Sequence, residues 1–61
     1  MNNTYISEKT NIVDALNEVD AFTTRIKTFI EEHPEYSYTI SLDKEDKLWL
    51  IKLNISNEKN N

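Results

Sequence analysis

The sequence predicts an α+β domain in which one long amphipathic helix packs on a C-terminal antiparallel β-hairpin. Two observations carry this. Apolar residues recur at helical spacing from Asn11 to Glu32, and from Tyr36 onward they recur at every second position. Pro34 marks the boundary, because it disfavours helical geometry at His33.

The helix is the clearest element. On a wheel, Ile12, Ala15, Leu16, Val19, Phe22, Ile26, Phe29 and Ile30 fall within roughly 140° of one another. Asp14, Asn17, Glu18, Ala21, Thr24, Arg25, Thr28 and Glu32 take the opposite face, and only Val13 sits clearly off the stripe. A helix of about six turns with such a stripe needs another layer to cover it. Thr10 or Asn11 is the expected N-cap, since either side-chain oxygen can accept from a free N–H of the first turn. Asp14 and Glu18 then lie near the positive end of the macrodipole, while Glu31 and Glu32 sit unfavourably at the negative end. Arg25 and Lys27 offset part of this, Lys27 pairing with Glu31 at i,i+4. His33 continues the stripe and reads as a half-buried cap near the last carbonyls, not as a catalytic or metal-binding group.

The hairpin follows from alternation. Tyr36, Tyr38, Ile40 and Leu42 alternate with Ser37, Thr39 and Ser41, which gives a strand with one buried face. In the second strand, Lys47 to Ile55, Trp49, Ile51, Leu53 and Ile55 share one face, and Leu48, Leu50, Lys52 and Asn54 the other. With no glycine for a primed two-residue turn, Asp43-Lys44-Glu45-Asp46 is expected to form a four-residue loop. That loop sets Leu42 against Lys47, Ile40 against Trp49, Tyr38 against Ile51 and Tyr36 against Leu53. A one-residue slip would set apolar rows against polar ones. The domain is thus expected over residues 10–55, with 56–61 a disordered polar tail. Residues 1–9 are either frayed or contribute a short strand, Asn3 to Ser7, which makes the order β-α-β-β.

Composition bounds the function. The chain of 61 residues has no cysteine, no glycine and one histidine. It therefore has no disulfide or thiolate metal site, and neither a Walker-type loop nor a GxGxxG turn can be built. No cofactor is expected. A core this small rarely supplies more than about 3–5 kcal/mol, so further burial by self-association is expected, as a homodimer. The net charge of −4, from 7 basic and 11 acidic residues, argues against direct binding to nucleic acid or to an anionic membrane. No apolar run reaches the roughly 18 residues of a membrane span, and the first residues do not resemble a signal peptide. A soluble, cytoplasmic protein is expected, and the sequon matches at Asn2 and Asn54 are read as chance. Abundant Asn, Ile, Lys and Glu without Gly fits a low-GC genome, such as that of a phage or mobile element.

Catalysis is not expected. Ser37 and His33 lack a third group to complete a triad, and a helix on a ribbon offers little concavity in which carboxylate pKa values would separate. Tyr36, Tyr38 and Trp49 resemble a base-stacking platform, but they lie on the face the helix must cover. Two surfaces remain as candidates. Leu48 and Leu50, flanked by Thr39 and Ser41 on the uncovered sheet face, form a self-association surface. Glu31, Glu32 and Glu35 gather at one end, and Asp43, Glu45 and Asp46 at the other near Glu8 and Asp14, as acidic surfaces for a basic partner. The expected function is a small, acidic, non-enzymatic protein–protein interaction or regulatory module. One alternative is an acidic inhibitor that mimics nucleic acid. Another is a small-ligand accessory protein with a pocket at a dimer seam.

Overall fold

A computed structural model describes residues 2–57. Strand β1 (Asn2–Lys9) leads into helix α1 (Ile12–Glu32), and strands β2 (Tyr36–Glu45) and β3 (Leu48–Asn57) form the hairpin. The sheet order is β1-β3-β2, with both outer strands antiparallel to β3. β1 and β2 are therefore parallel to each other with β3 inserted between them, a split β-α-β unit closed by the last strand. Of the two readings of the N-terminus, the strand is the one observed, and it is longer than Asn3 to Ser7. β3 also continues past Ile55, placing Ser56 opposite Ser37, so the polar tail begins later than expected. The rest of that tail, residues 58–61, lies outside the described residues.

The helix begins as its cap chemistry dictates. Asn11 is extended (φ −134°, ψ 157°), and its side-chain oxygen accepts from the Asp14 backbone N–H at 2.8 Å. Its amide donates in return to an Asp14 carboxylate oxygen at 2.9 Å. At the far end His33 is the C-cap, donating its N–H to Phe29 and Ile30 carbonyls, before Pro34 turns the chain toward Tyr36. The His33 side chain is exposed, not half-buried, and its ring lies against Phe29 at 4.6 Å between centroids. Among the described residues the only such contact is His33 Nδ1 with Glu35, at 3.9 Å, an ion pair when the imidazole is protonated, so Lys27 and Glu31 do not close one.

The core is the seam between one stripe and one sheet face. Ala15, Phe22 and Ile26 of α1 are buried with Ile51, Leu53 and Ile55 of β3. Val19, Phe29, Ile30, Tyr36, Ile40, Leu42 and Trp49 pack around them. The buried seam is narrower than the apolar stripe: Leu16 is 50% exposed and Ile12 38%. Tyr38 shares the helix-facing side of β2 yet remains 45% exposed.

The hairpin register departs from expectation. Its loop is the pair Asp46-Lys47, and Asp46 enters the left-handed region at φ 59°. Aspartate tolerates that region better than most residues, so the tight turn forms without glycine. Ile40 consequently faces Leu53 rather than Trp49, Tyr38 faces Ile55, and Leu42 faces Ile51. The shift is even, so every side chain keeps its face while its neighbours change. Asp43, Lys44 and Glu45 become strand residues, and pairing extends through Lys44 opposite Trp49 to Glu45 opposite Leu48.

Candidate functional site

The helix covers one face of the sheet and leaves the other open. Residues directly opposite each other in antiparallel strands point to the same side, so the register defines the rows of the open face. Near the Asn57 end, Thr39, Asn54 and Thr4 form a rung: Thr4 Oγ1 donates to Asn54 Oδ1 at 2.7 Å, and Asn54 Nδ2 donates to Thr39 Oγ1 at 3.4 Å. The next row sets Ser41, Lys52 and Ile6 side by side. Beyond it, Leu50 stands between Asp43 and Glu8, and Leu48 stands beside Glu45.

This corrects the expected surroundings of the leucines. Thr39 and Ser41 lie further along the same face, opposite Asn54 and Lys52, and do not flank Leu48 and Leu50. The leucines are half-buried, and their cross-strand neighbours are carboxylates, with Lys52 next to Leu50 along β3. Two separately expected sites thereby meet: Leu48 and Leu50 form an apolar centre, with Glu8, Asp43 and Glu45 on its margin. Asp46 sits in the adjoining turn. The other acidic group is dispersed. Glu31 and Glu32 are exposed on the last turn of α1, and Glu35 is half-buried beside His33. The missed signal was the turn, because only the tight loop draws Asp43 and Glu45 into the sheet.

The sheet edges are the second feature. From Tyr36 to Leu42 the outer edge of β2 carries neither charge nor proline, the usual devices that blunt an edge strand. On the layer above, Phe22, Arg25, Ile26 and Phe29 face β1, because they share a groove with Asn3 and Tyr5. Helical spacing then puts Ile12 and Leu16 on the other flank, toward β2. Ile12, Leu16 and Tyr38 are thus exposed apolar groups on the flank of the unprotected edge, while Tyr5 is exposed on the β1 flank.

The groove itself has a volume of about 310 Å³ and lies within a single chain. A helix on a two-stranded ribbon offered little concavity; the third strand supplies the missing wall. No group of three or more His, Cys, Asp or Glu side chains among the described residues is arranged to hold a metal ion. Among those residues, no helix is long and apolar enough to cross a membrane. No family model, curated protein or solved structure matches this chain.

Proposed function

We propose that the chain is a small acidic, non-enzymatic regulatory module of the cytoplasm that docks a basic protein partner on the open face of its sheet. The observation that supports this is the patch of Leu48 and Leu50 bordered by Glu8, Asp43 and Glu45. An apolar centre gives binding energy, and a margin of three carboxylates against the single Lys52 of the next row favours a basic partner and speeds its encounter. The same margin disfavours two copies meeting through this face, since their carboxylates would oppose one another. The test compares capture of host proteins by the wild type and by a Glu8→Lys, Asp43→Lys, Glu45→Lys variant with unchanged circular dichroism. Partners lost on charge reversal and on raising ionic strength support the reading. Capture indifferent to both overturns it.

Self-association is a second reading, favoured by a different observation: the charge-free stretch Tyr36 to Leu42 on the edge of β2, with exposed Ile12, Leu16 and Tyr38 on that flank. Two copies paired antiparallel along β2 form one six-stranded sheet with both helices on the same side. Light scattering behind size exclusion, over a hundredfold range of concentration, reads this directly. A dimer split by Leu16→Lys, Tyr38→Lys supports edge pairing. A monomer at every concentration removes it.

A further inference from the structure

The groove between α1 and β1 lies on the opposite side of the sheet from the acidic patch, and its chemistry is different. Its floor is apolar: Phe22, Ile26 and Phe29 of the helix over Leu53 and Ile55 of the central strand. The Asn3 amide and Tyr5 phenol on β1 and the Arg25 guanidinium on α1 are the polar side chains that line it among the described residues. Among the described residues Arg25 is the only charged one that lines it, in a chain whose net charge is −4.

Among the described residues that guanidinium has no carboxylate partner. The helix neighbours that would supply one, three or four residues away, are Ala21, Phe22, Thr28 and Phe29. Arg25 does not take part in the one ion pair among the described residues. Two of those neighbours, Phe22 and Phe29, line the same groove, so the helix positions beside Arg25 on this side carry aromatic side chains and not carboxylates. A planar guanidinium donates two parallel hydrogen bonds to a carboxylate, and the amide and phenol beside it offer further donors. The volume lies near the lower end of the roughly 300–1,000 Å³ typical of small-ligand sites. It suits one aromatic ring or a short acyl chain, not a nucleotide.

We propose that this groove binds a small amphipathic monocarboxylate, its apolar body on Phe22, Phe29, Leu53 and Ile55 and its carboxylate on Arg25. The site needs neither the partner patch nor a second copy, so it stands or falls separately from the interaction readings.

The test titrates 3-phenylpropionate into the full chain and follows amide chemical shifts, with 3-phenylpropanol as the neutral counterpart. The acid is expected to bind saturably, with the largest shifts at Asn3, Tyr5 and the Arg25 turn. The alcohol is expected to bind on the order of tenfold more weakly, since it forgoes the charge-assisted pair. Arg25→Gln, an exposed substitution whose own spectrum reports the fold, should erase the preference for the acid. Lys27→Gln, which removes the same charge from the same helix away from the groove, should preserve it. Equal binding of acid and alcohol by the wild type, shifts centred on Leu48 and Leu50, or no saturable binding of either compound would each overturn the proposal.

Discussion

The Lys44 ammonium stands 5.3 Å from the centroid of the Trp49 ring, directly across the hairpin. The contact belongs to the two-residue turn, because a four-residue loop would take Lys44 out of the strand. A cation over a half-buried indole at the surface is worth about 0.5–1 kcal/mol, so the pair helps hold the register. The turn residue behind it should therefore be sensitive. Asp46→Val, at φ 59°, is expected to cost about 1–2 kcal/mol, whereas Asp46→Gly should be neutral or stabilising. Urea unfolding read by Trp49 fluorescence measures both. Equal stability of the two variants would mean that the loop is not the tight turn.

The reciprocal cap between Asn11 and Asp14 gives a second prediction. Asn11→Ala leaves the Asp14 N–H without its acceptor and should lower stability by about 1 kcal/mol. Asn11→Ser, which keeps a side-chain oxygen, should recover most of the loss in thermal melts followed by circular dichroism. Loss of similar size in both variants would count against the cap.

Ile51 and Leu16 provide a contrast between two residues that patterning alone treats alike. Ile51 has no exposed surface, and truncation to alanine should cost about 2–5 kcal/mol, most of the stability a chain of this length commands. Leu16 is half exposed, and Leu16→Ala should cost about 1 kcal/mol or less in dilute protein. Chemical denaturation of the two variants, at a concentration below any self-association, decides it. Comparable losses would place Leu16 in the core.

The open face gives a fourth. Asp43 and Glu8 both stand beside Leu50, so Leu50→Lys brings an ammonium between two carboxylates and should leave the fold within about 1 kcal/mol of wild type. The same substitution should abolish capture of a basic partner. A variant that unfolds instead would show that Leu50 belongs to the structure and not to a docking surface.

How much of this was legible in the sequence depends on which interactions are local. The helix was, because its stripe from Ile12 to Ile30, its Asn11 cap and its Pro34 stop are all encoded within a few residues. The helix-facing side of the hairpin was, because alternation survives any even shift. The register was not, for that same reason: Ile40 opposite Trp49 and Ile40 opposite Leu53 bury the same faces. Only the readiness of Asp46 to adopt positive φ separates the two, and that preference is weak in a residue other than glycine. β1 was half legible, since Asn3, Ser7 and Lys9 on its helix-facing side mask the alternation, and its partner is β3 at the other end of the chain. The groove was illegible as a direct result, being walled by that strand. Arg25 read as an ordinary solvent-facing cation until Asn3 and Tyr5 were placed beside it.

The position of β3 sets the order of events on the ribosome. β1 and α1 emerge first, yet β1 touches neither β2 nor any other strand until β3 arrives to lie between them. Asn3 must wait for Ile55. Until then the nascent chain carries an uncovered apolar helix face and a β2 segment free of charge, both open to the wrong neighbour. The acidic residues from Asp43 to Asp46, translated just before the strand that completes the sheet, place like charge on the chain at that moment. Repulsion between neighbouring nascent copies would then protect the chain until its central strand is in place.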